Sequence, residues 1–248
     1  MKLLSKISFL FLTAALVFAS SGCKDDSDPQ LANLAFQFDY TIDGQAFSYG
    51  TDFKINGVTV NLETAMFYVS GISLEPEEGD EISVEGKHLL VSPDAGSQEV
   101  TVDLKPEHYH MVKFDIGVQP EANSQTEEDY TSRDASDPLA AQNPSMHWNW
   151  NSGYRFLRID GQVDTDGDDV VDTPLAFHLG TDALLTPLSY TLHHDFEPGD
   201  NTLAFEFDIA KFFAGVDLST EVDTHTGNNL PLAEKVASNL SSAISVKQ

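Results

Sequence analysis

From Leu34 to Tyr40 the chain reads Leu-Ala-Phe-Gln-Phe-Asp-Tyr, with large apolar side chains at every second place. That two-residue period predicts a strand with one buried face. Asp43-Gly44 follows as a hairpin turn, with 46–49 as the returning strand. Further strands are predicted at 59–62, 65–74, 81–84, 87–91 and 99–104, separated by clusters of Gly, Pro, Asp and Glu. Residues 108–118 form another. The next stretch, 119–144, is polar and acidic and has neither period; a segment of that length inside a compact domain is usually functional or mobile. After it, 154–163 and 173–180 predict a hairpin around Asp164-Thr165-Asp166-Gly167-Asp168-Asp169. Residues 179–192 are rich in apolar side chains but contain Pro187, and read as loop or irregular strand. A strand at 202–208 leads to a short helical stretch at 209–214. Ala233, Val236, Leu240 and Ala243 then lie along one face of a helix over 232–244. The pattern predicts an all-β chain: an antiparallel β-sandwich-like domain with long loops and a short C-terminal helix, over residues 31–248.

The first thirty residues stand outside that domain. Lys2 and Lys6 precede an apolar run, 7–19, of signal-peptide length, which ends in Ser20-Ser21-Gly22-Cys23. This resembles a bacterial lipobox, with 1–22 as lipoprotein signal peptide and Cys23 as the lipidated first residue of the mature chain. Several acyl chains on one cysteine hold a protein at a membrane stably. Residues 23–30 form an acidic tether, which reads equally as a solvated linker or as the signal it resembles, the one that carries lipoproteins of Bacteroidetes-type bacteria to the outer face of the outer membrane. The expected location is therefore the cell envelope, as an outer-membrane lipoprotein on its periplasmic or surface face.

Charge and cysteine content narrow the chemistry. The formal charge is −27, and removing Lys2 and Lys6 leaves 11 basic against 40 acidic residues, or −29. Such a field repels nucleic acid and anionic lipid. Cys23 is the only cysteine, so lipidation leaves no thiol for disulfides, zinc–thiolate sites or nucleophilic catalysis. There is no Gly-x-Ser-x-Gly, phosphate-binding loop or His-Glu-x-x-His, and the chain reads as a binder, not an enzyme.

Against that background 146–161 stands out, because it holds both tryptophans of the chain, Trp148 and Trp150, behind Met146 and His147. In an extended strand Met146, Trp148 and Trp150 share one face and His147 the other. Thioether and imidazole are ligands for Cu(I). Indole is not, since its N–H only donates. On these grounds the segment is either a core strand or part of a metal site. His178, at the end of a strand before Gly180, and His225, in a Gly/Asn-rich turn, are candidate ligands beside satisfied structural histidines. His108 and His110 share a strand face at i, i+2; His193 and His194 point apart. Asp164, Asp166, Asp168 and Asp172 occupy positions 1, 3, 5 and 9 of a calcium loop, but Asp169 stands where glycine belongs and Leu175 where the bidentate glutamate belongs.

Met146-x-Trp148-x-Trp150, then Gly153-Tyr154-x-Phe156 and Phe177-His178-Leu179-Gly180, resembles the MbnP-like copper-binding proteins associated with methanobactin gene cassettes. Phe67-Tyr68-Val69-Ser70-Gly71-Ile72, Phe114-Asp115-Ile116-Gly117-Val118 and Val236-Ala237-Ser238-Asn239-Leu240 agree in order, so the resemblance spans most of the mature chain. It implies that a di-heme partner of the cytochrome c peroxidase type oxidises Trp148 to kynurenine. It also implies a single Cu(I) site built from that residue, Met146 and His178, with His225 as competing histidine and Trp150 and Tyr154 packed around it. The expected role is copper acquisition or homeostasis. The competing expectation is a calcium-dependent or carbohydrate-binding surface module, resting on Ca2+ at the Asp164–Asp172 loop, exposed aromatics and the surface tether.

Overall fold

A computed structural model describes residues 31–100, 103–149 and 152–247. The predicted signal peptide and tether, with Cys23, and also Trp150 lie outside the described residues. The chain begins with β1 (Ala32–Ile42), β2 (Gln45–Ala46), β3 (Asp52–Ile55) and β4 (Val58–Pro76), then the short strands β5 (Ile82–Ser83), β6 (Leu89–Val91) and β7 (Gln98–Glu99). After β8 (His108–Ile116) come helices α1 (Pro120–Asn123) and α2 (Glu127–Thr131), then β9 (His147–Asn149) and β10 (Gly153–Tyr154). The second half holds β11 (Leu157–Val163), β12 (Thr173–Leu179), β13 (Thr186–Asp195), β14 (Gly199–Asp208), α3 (Ile209–Phe212), β15 (Asp223–Thr224), α4 (Leu230–Ala243) and β16 (Ile244–Val246).

Two sheets face each other. One runs β16-β14-β1-β2, with β7 on β1; the other runs β13-β8-β4-β11-β12-β15, with β3, β5 and β6 on β4. The main core fills the gap, with Phe36 and Phe38 of β1 and Phe205 of β14 meeting Phe67 and Phe114 from the larger sheet. Helix α4 adds Leu232, Ala233, Val236, Leu240 and Ala243, and Asn229 caps its first turn by accepting from the Leu232 N–H.

The fold is mainly β, as the alternation predicts, but the sheets are mixed and not purely antiparallel. β1 and β14 pair in parallel over ten residues, and β12 pairs in parallel with β15. Neither pair is joined by a tight turn, so no hairpin dictates its direction. Residues 59–62 and 65–74 belong to a single strand, β4, which bends where the register shifts opposite Asp160/Gly161 and again between Ser70 and Ser73. Residues 186–195 form a ten-residue strand despite Pro187. β13 ends its sheet, and an edge strand tolerates the missing donor. The β3–β4 hairpin turns on Asn56-Gly57, both at positive φ, an Asn-Gly signal present in the sequence.

A smaller core lies on the other face of the larger sheet. Phe67 and Val69 of β4 point into the main core, whereas Tyr68 joins Val118, Leu139, Met146, Tyr154 and Phe156. The aperiodic stretch after β8 builds this layer. It carries α1 and α2, the latter opened by a Thr126/Asp129 capping box, and folds back over the sheet. Tyr68 Oη donates to the Pro138 carbonyl (3.1 Å) and Tyr154 Oη to the Leu139 carbonyl (2.8 Å).

Candidate metal centre

Strand alternation sets the first half of the site. In β11 and β12, Leu157, Ile159, Phe177 and Leu179 are buried in the main core. Arg158, Asp160 and His178 therefore point to the outer face, and Arg158 and His178 are cross-strand partners. His178 is 6% exposed. Its Nε2 lies 2.6 Å from Asp160 Oδ1, and the other carboxylate oxygen of Asp160 accepts from Arg158 Nε.

The second histidine arrives through the parallel ladder. Ala176 pairs with Asp223 and Phe177 with Thr224, so one further step sets His178 beside His225. Their rings lie 4.5 Å apart, centroid to centroid, at 90°. Thr226, at positive φ, fixes this corner: its Oγ1 donates to the His178 carbonyl (3.0 Å) and accepts from the Gly180 N–H (3.1 Å). His225 Nδ1 lies 3.1 Å from Asp223 Oδ1, which leaves Nε2 available to a ligand.

Trp148 closes the group from β9. Its ring centroid is 5.8 Å from that of His178 and 5.9 Å from that of His225. The Arg155 guanidinium sits 4.0 Å over the indole face, a cation–π contact. The backbone of this segment is held by two arginines, Arg155 between β10 and β11 and Arg158 on β11. Arg155 Nη1 donates to the carbonyls of Ser145 (3.0 Å) and His147 (2.7 Å), and Arg158 Nη1 to that of Ser145 (2.8 Å). Gly180 makes room for the ring, because a Cβ there would stand 2.8 Å from Trp148 Nε1 and 2.5 Å from the Tyr154 carbonyl oxygen.

The surroundings of His178 favour its neutral form. Burial pushes its pKa below the usual imidazole value, against the opposing pull of the Asp160 hydrogen bond. Burial alone would raise Asp160, but hydrogen bonds from His178 and Arg158 outweigh it and hold the carboxyl below its ordinary value. An ionised carboxylate only accepts, so Nε2 carries the proton and Nδ1 an open lone pair. That Nδ1 is buried without a hydrogen-bond partner. An unmatched buried polar atom costs about 1–3 kcal/mol and calls for an explanation.

Met146 is 1% exposed and packs in the smaller core with Tyr154 and Phe156, just before β9. His147 turns to aromatic neighbours, stacking on Tyr130 at 4.0 Å and meeting Tyr154 edge-on at 4.8 Å. His108 and His110 have separate partners, Asp195 and Glu75. His193 stacks beside His108 at 6.4 Å, and His194 meets Phe196. Carboxylate oxygens of Asp164, Asp166 and Asp168 lie within 4.8 Å of one another; Asp172 is not among them. Asp164, buried, accepts from the Gly167 N–H (2.7 Å) and the Asp169 N–H (3.1 Å), so both its oxygens cap their own loop. Asp160, Arg155, Arg158, Asp223 and Thr226 belong to no motif in the sequence. Arg158-x-Asp160 on an alternating strand was the one signal available for the first pair. Met66, the cross-strand partner of Arg158 on β4, packs against the smaller core to which Met146 belongs and is a further thioether on this face.

A family model described as MbnP matches residues 32–230. The chain belongs to the MbnP family. The match runs from the start of β1 to the start of α4 and so includes Met146, Trp148, His178 and His225. The solved structure "MbnP from Methylosinus trichosporium" has the same fold: TM-score 0.51 at 18% identity, covering 75% of this chain and 79% of that one. No curated protein matches the chain.

Proposed function

We propose that this MbnP-family chain binds one Cu(I) at the cluster of Trp148, His178 and His225, with Met146 as the thioether donor. One observation carries the reading: the buried, unpartnered Nδ1 of His178, in a ring that packs against a second imidazole and an indole. Cu(I) is a soft ion served by imidazole and thioether, and a neutral nitrogen lone pair is the form that binds it. The family membership supports the same choice of metal.

Trp148 enters the donor set after oxidation to kynurenine by a di-heme, peroxidase-type partner. Peroxide delivered through the partner's haems would be the oxidant: two equivalents cleave the indole C2–C3 bond and are reduced to water, and hydrolysis then releases C2 as formate, leaving an aryl amine and a ketone that can bind metal where indole cannot. The chain is then a binder and the substrate of its partner. It acts in copper acquisition or homeostasis as an outer-membrane lipoprotein held through Cys23. The test is co-expression with a di-heme partner, reading copper per chain and the near-UV absorbance of an aryl ketone. Unmodified Trp148 and copper-free protein would overturn the reading.

The Asp164, Asp166 and Asp168 trio supports a separate calcium reading, since three carboxylates converge there. Ca2+ titration by calorimetry decides it. Binding that survives Met146→Ala and Trp148→Phe but is lost in Asp166→Asn belongs to this loop.

A further inference from the structure

The Arg158–Asp160 pair does work that the ligand set does not describe. Asp160 has one oxygen on His178 Nε2 (2.6 Å) and the other on Arg158 Nε. Arg158 reaches onward through Nη1 to the Ser145 carbonyl (2.8 Å), in the segment that leads into Trp148. One continuous set of bonds therefore runs from the histidine on β12, through two residues of β11, to the backbone entering β9. Trp148 and His178, 30 positions apart in the chain, are both tied to this brace.

We infer that Asp160, steadied by Arg158, is a positioning residue that locks His178 in the Nε2–H tautomer and so keeps a bare, buried Nδ1 on the ring that packs against Trp148 and His225. The role of a carboxylate behind an imidazole is to fix tautomer and ring orientation. Three features favour it over a surface ion pair. His178 and its Nδ1 are buried; His178 Nε2 has a carboxylate oxygen as its partner; and Arg158 occupies the oxygen that would otherwise rotate into competition. Arg158 has a second effect: by holding the Ser145 carbonyl it sets where Trp148 stands relative to the ring that Asp160 has fixed.

The inference rests on the copper reading for its purpose but not for its first test. Long-range 15N–1H correlation spectra of the metal-free, full chain report the tautomer of His178 directly, with assignment from His178→Gln. Wild type is expected to show a protonated Nε2 and a bare Nδ1. Asp160→Asn should move the spectrum toward the Nδ1–H form, because the amide can also donate, while Asp160→Glu keeps the wild-type pattern. Copper affinity, read by competition with a Cu(I) chelator on protein matured with its di-heme partner, should fall about 10–100-fold in Asp160→Asn and be restored by Asp160→Glu. Arg158→Gln should keep the tautomer yet weaken copper binding. An Nδ1–H tautomer in wild type, or an Asp160→Asn chain with unchanged tautomer and affinity, overturns the inference. The expected tautomer shift in a chain that takes no copper at all upholds the positioning role and overturns the copper reading instead.

Discussion

His178 and Asp160 are joined by a 2.6 Å bond that uses one nitrogen of a buried imidazole and leaves the other with no partner. That asymmetry has a consequence for stability against pH. Burial depresses the folded pKa of His178 below its ordinary value of 6.5. Between those two values the unfolded chain binds more protons than the folded one, so stability rises with pH across that window. The metal-free protein should lose stability as the pH falls below about 6.5, until the depressed folded pKa is passed. His88 and His147, lowered by burial as well, add in the same direction. Urea unfolding at pH 7.5 and 5.5 on wild type and His178→Gln isolates the share of His178. A variant with the same pH dependence as wild type would show that His178 contributes none of it.

Gly180 lies against both the Trp148 ring and the backbone of β10. A Cβ at this position meets the Tyr154 carbonyl oxygen at 2.5 Å and Trp148 Nε1 at 2.8 Å. The carbonyl belongs to β10 and cannot swing away as a side-chain end can. Gly180→Ala should cost about 1–3 kcal/mol, the usual price of overpacking, and displace the indole from the two histidines. Denaturant unfolding gives the first effect. A shift in tryptophan fluorescence, measured in a Trp150→Phe background, gives the second.

The strands around the site were legible and the site itself only partly so. Alternation along 154–163 and 173–180 correctly sorts Arg158, Asp160 and His178 from the core residues between them, because a strand with one buried face writes that face into its sequence. The meeting of His178 with His225 was not written anywhere local. It depends on the parallel β12–β15 ladder, whose register is set by packing between segments 47 positions apart. Pro187 misled for a related reason: it forbids a central strand, and only the sheet order reveals that β13 lies at an edge. Alternation also paired Met146 with Trp148, but the regular strand starts only at His147, and Met146 enters the smaller core with Tyr154.

Asp164 carries the tip of the β11–β12 hairpin. It is buried, and its two oxygens accept the Gly167 and Asp169 N–H groups at 2.7 and 3.1 Å. Asp164→Ala leaves both donors without a protein partner, and should destabilise the fold by about 1–3 kcal/mol even with calcium absent. Asp166→Ala, at an exposed position, should change stability by no more than about 0.5 kcal/mol. Thermal unfolding in EDTA separates them. Equal losses in both variants would mean that the loop is held by something other than these two bonds.

Met146 is both a core residue and the proposed thioether donor, and the two roles respond differently to substitution. Truncation cannot separate them: Met146→Ala removes a buried side chain at about 2–5 kcal/mol and disturbs Trp148 with it. Met146→Leu keeps the volume and should cost less than about 1.5 kcal/mol, because leucine fills the same space among Tyr68, Leu139, Tyr154 and Phe156. It removes only the sulfur. If Met146 donates to copper, the leucine variant folds like wild type but binds Cu(I) at least tenfold more weakly after maturation with the partner. If binding is unchanged, Met146 serves the core alone. Met66, which packs against the same cluster next to Arg158, then becomes the thioether to test by the same exchange, Met66→Leu.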